Sequence, residues 1–298
     1  MRCNSVLVRL DQFRTKELES GTCDEIREHL DDCRSCADSL EEIDELAGAG
    51  PALKERCPSS CHEEIRRSLS DRYDIVESDI GPLWVVFSSR GLVRVTLANR
   101  PEKVLLEEYC NRFGREAERG ELPPEMREAL RRTIGGGKSG RPEIDLSDLP
   151  QFEREVLEVL VKIPAGQVRS YAWVAREAGR PAAIRAVGNA CARNPIPFVV
   201  PCHRVVPSSG GIGNYGFGPA LKRALLAREG VIVDELDDLG ERGFRYVASA
   251  TTKIYCFPTC PDARRIRKAH RVSLRSEQEA ARLGFRPCRR CRPLAATA

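Results

Sequence analysis

No apolar run in these 298 residues approaches the roughly 18 needed for a helix to cross a bilayer, so no membrane-spanning segment is expected. The N-terminus, MRCNSVLVRLDQF, meets charge too early for the apolar region of a secretory leader. A cytoplasmic location is the expectation that follows. No internal repeat is present, so a solenoid or propeller is not indicated. Neither core-forming nor charged residues are scarce: 41% are hydrophobic and 31% charged, which excludes a chain disordered throughout. At roughly 150 residues per domain, the length suggests about two domains, or more if some are small.

A large excess of one charge is also lacking, with 48 Lys and Arg against 44 Asp and Glu, but the balance hides an asymmetry. Residues 1–50 carry 6 basic and 13 acidic side chains, residues 150–230 carry 11 and 5, and residues 262–292 carry 11 and 3. Basic charge gathered in separate blocks is the footprint of a phosphate-binding surface, although alone it also describes a solvated face.

Cysteine, by contrast, is abundant and odd in number, 13 in all. Most fall in short pairs: Cys33/Cys36, Cys57/Cys61, Cys256/Cys260 and Cys288/Cys291. Without an export signal, a reducing compartment favours metal ligation or thiol chemistry over disulfides. Cys23, Cys110, Cys191 and Cys202 stand outside both the pairs and any complete ligand pattern, and all but Cys202 read as small buried hydrophobes.

Along the chain, LVRLDQF and CDEIREHLDDCRSCADSLEEIDELAG have apolar residues at helical spacing. The Gly-, Pro- and Ser-containing stretch 51–72 reads as a linker. DIVES, LWVVFSS and GLVRVTLA read as strands, and VLLEEYCNRFGREAER and PPEMREALRRTI as helices. From Gln151 come the helix QFEREVLEVLVKI and then SYAWVAREAG and PAAIRAVGNACARN, a helix-turn-helix pattern. A Gly-rich loop precedes PALKRALLAREG, and after the acidic connector 232–242 a basic unit begins near Gly243.

The most informative string is IPFVVPCHRVVP, residues 196–207. Together with IPAGQVRSYAWVA, GRPAAIRAVGNACARNP and SSGGIGNYGFGPALKRALLAREG, it resembles the O6-alkylguanine-DNA alkyltransferase family. The likeness is close over 150–230, with 73–147 in the place of the strand-rich partner domain. It implies that Cys202 accepts the alkyl group, that His203 takes the thiol proton through water, and that Glu229 orients the imidazole. The chemistry suits these types, because the thiolate is the nucleophile and a neutral-pH thiol needs a base. The plainer alternatives for these residue types are a structural histidine and a helix-terminal glutamate.

The same resemblance gives Tyr171 as proton donor toward the base, Asn194 as active-site amide, Tyr215 as the loop ring that packs on the base, and Arg185 as the finger that fills the vacated stack. Double-stranded DNA, approached through the minor groove, is the implied partner. Gly216 stands where some relatives carry a serine that contacts the substrate oxygen, so that contact is absent here.

Cys256-x3-Cys260 and Cys288-x2-Cys291 supply the four soft ligands of a tetrahedral zinc site in a unit too small to bury much core. RYVASATTKIYCFPTCPDARRI and GFRPCRRCRP resemble the zinc module of the Ada methylphosphotriester-repair proteins, which implies that Cys256 is a second methyl acceptor. A purely structural zinc knob is the plainer alternative. His29-x3-Cys33-x2-Cys36, with Cys3 upstream, resembles the zinc-binding anti-sigma fold and implies a sigma factor as one candidate protein partner. Cys57, Cys61 and His62 form a partial set without a fourth ligand.

The expected fold is therefore α+β and multidomain: a zinc anti-sigma-like module at 1–50, a linker at 51–72, an RNase H-like sheet domain at 73–147, a winged-helix-like alkyltransferase domain at 148–231, a linker at 232–242, and a four-cysteine zinc domain at 243–294. The expected function is single-turnover DNA repair by alkyl transfer to Cys202 and Cys256, with zinc as cofactor. The alternative is an alkylation- or redox-responsive regulator acting through the N-terminal module.

Overall fold

A computed structural model gives residues 3–56, 71–137 and 140–293; Cys57, Cys61 and His62 lie outside the described residues. The chain forms two compact units, Met1–Ser68 and Leu69–Ala298. Among the described residues no helix is long and apolar enough to cross a membrane.

The first unit is helical: α1 (Cys3–Leu7), α2 (Leu10–Arg14), α3 (Ser20–Asp32) and α4 (Arg34–Arg56). Val6, Leu10, Ile26 and Cys36 form its buried centre. Where the spacing predicts one helix over 23–48, the chain breaks at Cys33, whose backbone is extended at φ −123° and ψ 94°. The helix after the break runs to Arg56, into the expected linker.

The second unit opens with a four-stranded sheet in the order β3-β2-β1-β4, made of β1 (Asp71–Val76), β2 (Leu83–Ser88), β3 (Gly91–Leu97) and β4 (Ala117–Arg119). The first three strands pair antiparallel, and β4 joins β1 in parallel. β2 is interior and buried on both faces, which is why it reads as an unbroken apolar run rather than an alternating one. Trp84 and Val86 face a layer containing Leu105 and Tyr109 of α5 (Glu102–Phe113), whereas Leu83, Val85 and Phe87 join the main core.

A helix was expected to continue through 119, but it stops at Gly114, which takes the left-handed conformation at φ 69° and donates its N–H to Cys110. The residues beyond become β4 instead, because Ala117 finds a backbone partner in Asp71. Helix α6 (Pro124–Ile134) and the bridge between Leu92 and Ile144 then carry the chain across the sheet.

The rest of the second unit positions the chemistry. It comprises α7 (Gln151–Val161), β5 (Arg169–Ser170), α8 (Tyr171–Glu177), α9 (Ile184–Ala192), a 3-10 turn (Cys202–Arg204), β6 (Val205–Val206) and α10 (Pro219–Arg228). β5 and β6 pair in parallel and set the start of α8 beside the turn. Ser170 caps α8 by accepting the Trp173 N–H at 3.2 Å.

The stretch expected as a second linker is largely helical: α11 spans Val233–Glu241. Its Val233 and Leu236 are buried with Val168, Val206, Ile212, Leu226 and Val231. Its acidic face is also engaged, with Arg223 pairing to Asp234 at 2.7 Å and Asp237 at 2.5 Å. A four-stranded sheet follows in the order β10-β8-β7-β9, from β7 (Tyr246–Ser249), β8 (Ile254–Cys256), β9 (Arg271–Leu274) and β10 (Arg286–Pro287). The short helices α12 (Pro261–Arg264) and α13 (Glu277–Arg282) lie in its connections.

The helical 232–242 stretch gives a direct test. Replacing Leu236 by Ala should lower the unfolding free energy by about 2–4 kcal/mol, as removal of a buried leucine does. Urea denaturation followed by tryptophan fluorescence measures it, and a change below about 0.5 kcal/mol would mean that this stretch behaves as a solvated connector.

Candidate active site and metal centres

Cys202 opens the 3-10 turn and is buried. Its Sγ accepts the side-chain amide of Asn194 at 3.2 Å, and the same nitrogen donates to Val200 O at 2.9 Å while Asn194 Oδ1 accepts from Ile196 N. Asn194 thus fixes both the thiol and the loop that delivers it. That loop carries Phe198 at φ 73°, a left-handed conformation unusual for a large side chain, with its ring 5.1 Å from that of Phe217.

His203 does not face Cys202 directly. Its Nε2 lies 2.8 Å from Glu229 Oε1, and its Nδ1 is buried without a protein partner. Because the carboxylate only accepts, Nε2 carries the proton and Nδ1 is left as the basic nitrogen. Burial lowers the His203 pKa, with Glu229 acting in the opposite direction, so the imidazole is neutral. Burial alone would raise the Glu229 carboxyl, but hydrogen bonds from His203 and Arg204 hold it down at about 2. Arg204 Nε reaches both carboxylate oxygens at 3.0 Å, its Nη2 reaches Oε1 at 2.8 Å, and Gly166 N donates to Oε2 at 2.9 Å.

Burial raises the Cys202 thiol, and Asn194, Tyr215 and Lys222 oppose that rise. The Tyr215 hydroxyl, buried and making no hydrogen bond of its own, lies close enough to ease the thiol's ionisation. Tyr171, first residue of α8, is raised to about 12 by burial and then by Cys191 and Cys202. Gly216 is exposed, and nothing lies within 4 Å of where its side chain would begin. Arg185 is not in this cluster; it is exposed on α9, as are Ile184, Asn189 and Ala192.

Two participants escaped the sequence reading. Arg204 sits inside the PCHRV string, and the need of a buried carboxylate for a cation was the signal that pointed to it. Lys222 is fully buried and donates to Val205 O at 2.7 Å and Asn214 O at 3.3 Å. Burial lowers it to about 8, opposed by Cys202 and Cys191. Its place in the helical stripe with Leu225 and Leu226 marked it as inward-facing.

The sulfurs of Cys256, Cys260, Cys288 and Cys291 all lie within 4.8 Å of one another, and all four residues are buried. Four thiols so close cannot ionise together without a cation between them. Contacts from Cys256 and Cys291, with the backbone amides of Asp262 and Ala263, hold Cys260 well below the ordinary thiol value; contacts with Cys260 and Cys291 push Cys256 up. This donor set and spacing fit a tetrahedral soft-metal site. Cys256 also borders an open cavity of about 670 Å³ whose walls include Arg265, Arg267, His270, Arg286 and Arg290.

In the first unit, Cys3, His29, Cys33 and Cys36 offer ligand atoms within 4.8 Å of one another, with the Cys3 and Cys33 sulfurs 3.8 Å apart. His29 Nε2 is buried and has no hydrogen-bond partner, so this set also fits a metal. The extended break at Cys33 puts its thiol ahead of α4, where the backbone amide of Cys36 lowers it.

A buried thiol gripped by an amide, with a neutral imidazole nearby and tyrosines around it, defines a protein built to take an electrophile onto its own cysteine. Residues 151–231 match the model of the 6-O-methylguanine DNA methyltransferase DNA-binding domain, and residues 238–293 that of the metal-binding domain of Ada. A methylated-DNA-protein-cysteine methyltransferase of Methanosarcina barkeri is 33% identical over 160 residues, covering 53% of this chain and 96% of that protein. The human protein of that name is 54% identical over 80 residues, 26% of this chain and 39% of the other. Among solved structures, Mycobacterium tuberculosis OGT in complex with DNA is similar at 31% identity and a TM-score of 0.45, covering 53% of this chain and 92% of that one. The chain belongs to the methylated-DNA-protein-cysteine methyltransferase family.

The depressed Glu229 pKa predicts a pH-dependent contribution to stability. A carboxyl with an ordinary value of 4.5 and a folded value of about 2 contributes fully above 4.5, on the order of 3 kcal/mol, and loses that contribution as pH falls toward 2. Glu229→Gln should therefore be clearly less stable than wild type at pH 7, with the gap narrowing by pH 3. Paired denaturant titrations at the two pH values measure it; a pH-independent gap would contradict the assignment.

Proposed function

We propose that the protein repairs alkylated DNA by moving the alkyl group irreversibly onto its own cysteines, Cys202 for O6-alkylguanine and Cys256 for methylphosphotriesters. The observation that carries this reading is the Cys202 thiol held by Asn194 at 3.2 Å beside the His203–Glu229 pair at 2.8 Å. His203 Nδ1 takes the thiol proton through a water. Sulfur attacks the alkyl carbon, an S–C bond forms, and the carbon–oxygen bond to guanine breaks. Tyr171 gives its proton to the departing base and recovers one from the His203 side, so the thiol proton ends formally on neutral guanine. Tyr215 packs on the flipped base, and Lys222 adds positive charge where the thiolate develops.

DNA is the partner, approached through the exposed face of α9. Gly188 leaves that helix open to a backbone, and Arg185 at its start fills the vacated place in the stack. The sheet order with β4 parallel to β1 supports the RNase H-like reading of the first domain, and the α8–α9 pair supports the winged-helix-like reading of the second. At the four-cysteine centre the fitting metal is zinc, which holds Cys256 as a thiolate when bound. The arginine-lined cavity beside it suits a phosphate backbone.

A second reading is favoured by one observation, the buried and unpartnered His29 Nε2 among three cysteines. The N-terminal unit then binds zinc in the anti-sigma manner, and its acidic surface suits a protein partner such as a sigma factor rather than DNA.

Three outcomes test these assignments. Mass mapping after incubation with methylated duplex should find methyl groups on Cys202 and Cys256, and Cys202→Ala should abolish loss of O6-methylguanine while leaving Cys256 methylated. Any retained guanine repair by that variant would refute Cys202 as acceptor. Arg185→Ala should slow repair of duplex by at least about tenfold, the scale of a lost finger, while reaction with free O6-alkylguanine changes little; equal losses would remove the finger role. Deleting residues 1–56 should leave both transfers near wild type and eliminate any protein recovered by pull-down, and loss of transfer in a folded deletion would make the unit part of the repair machinery.

A further inference from the structure

The C-terminal module lies against the alkyltransferase domain through specific polar contacts. Val168 N donates to Thr259 Oγ1 at 2.9 Å, and Arg264 Nη2 donates to Gly166 O at 2.8 Å. Along α8, Trp173 Nε1 and Arg176 Nη2 both donate to Arg292 O, at 3.0 and 2.8 Å, and Arg292 pairs with Glu177 at 2.5 Å. Arg292 directly follows the ligand Cys291.

Arg169 lies within this contact and is only 3% exposed. Its guanidinium lies 5.3 Å from the ring of Trp173 on its own side and 5.3 Å from that of Phe257, the neighbour of Cys256, on the other. Its hydrogen bonds go only to neutral oxygens, Val168 O at 2.9 Å and Gln167 Oε1 at 2.8 Å, and its Nε has no partner. Among the described residues no carboxylate pairs with it. Burial lowers its pKa, and the groups that raise it are Cys291, Cys260 and Cys288. A buried cation needs a counter-charge, and the group placed to supply one here is the four-cysteine centre, whose thiols a bound metal would hold as thiolates.

We propose that Arg169 is a positioning residue for the four-cysteine centre, a cation supplied by the alkyltransferase domain that balances the centre's negative charge and holds the module on α8, so that methylation of Cys256 slackens the dock. The inference rests on the reading of Cys256 as an acceptor. Four thiolates around a zinc ion carry a formal −2, and methylating one leaves −1, which halves the charge that Arg169 meets. Two short routes connect the dock to the first acceptor. One is α8, whose first residue is Tyr171. The other is Gly166, which accepts from Arg264 and donates to Glu229. No side chain fits there, since φ is +73° and a Cβ would sit 2.6 Å from Glu229 O.

The test uses the full-length zinc-loaded protein and two readouts. In the first, zinc release to a chromogenic chelator is timed for wild type, Arg169→Met and Arg169→Lys. Loss of a partner outside the ligand set costs about 10–100-fold in metal hold, so Arg169→Met should release zinc at least about tenfold faster, and Arg169→Lys should recover most of the difference. Release within twofold of wild type in Arg169→Met, or no recovery by lysine, overturns the counter-charge role. Should Arg169→Met fail to fold, Arg169→Gln against Arg169→Lys reads the same contrast.

In the second readout, amide hydrogen exchange over 171–177 and 286–293 is followed before and after reaction with methylphosphotriester DNA. Exchange should rise in wild type on methylation and be already raised in Arg169→Met. Unchanged exchange in protein that mass spectrometry shows to be methylated on Cys256 overturns the slackening. Failure of Cys256 to take a methyl defeats the acceptor reading instead, and the zinc-release measurement still decides the role of Arg169.

Discussion

The Glu229 carboxylate is the point on which the second unit turns. Three elements distant in sequence converge on it: the imidazole and guanidinium of the 202–204 turn, the Gly166 amide, and the end of α10 that carries it. A buried carboxylate left alone would be costly, and each of these donors would be left unsatisfied without it. The geometry around the Cys202 thiol follows from that mutual need. His203 is held facing away from Cys202 with its basic nitrogen free, and the thiol is left to Asn194.

Both proposed acceptors solve the problem of a buried nucleophile, in different ways. Around Cys202, burial opposes ionisation, and neutral donors with a buried lysine act against that rise. In the four-cysteine centre the crowding of sulfurs opposes ionisation, and a metal ion held among them would offset it. The first arrangement suits an electrophile brought to a buried thiol, the second an electrophile met at an arginine-lined surface.

The N-terminal unit follows a third pattern. Its candidate ligand set is assembled by a helix break rather than a sheet, and its small core of Val6, Leu10, Ile26 and Cys36 includes one member of that set. In a unit with so little apolar burial, a metal held by this set would couple binding to folding.

Much of the chemistry was legible in the sequence because it depends on local spacing. Cys202 and His203 are adjacent, the cysteine pairs sit one turn or one knuckle apart, and the central strands read as apolar runs. What local spacing could not carry was decided by tertiary structure. Cys33 breaks a helix that periodicity would continue, because an extended residue there brings four ligand atoms together. Residues 117–119 pair with β1 although their composition suits a helix, since a neighbouring strand offers hydrogen bonds that propensity does not count. The acidic 232–242 stretch resembles a solvated connector until Leu226 and Val231 supply a surface for Val233 and Leu236. Arg204, Lys222 and Arg169 are ordinary basic residues in one dimension. Only the fold sets Arg204 on a buried carboxylate, encloses the Lys222 ammonium among backbone carbonyls, and buries Arg169 between two aromatic rings, where charge is felt far more strongly than in water.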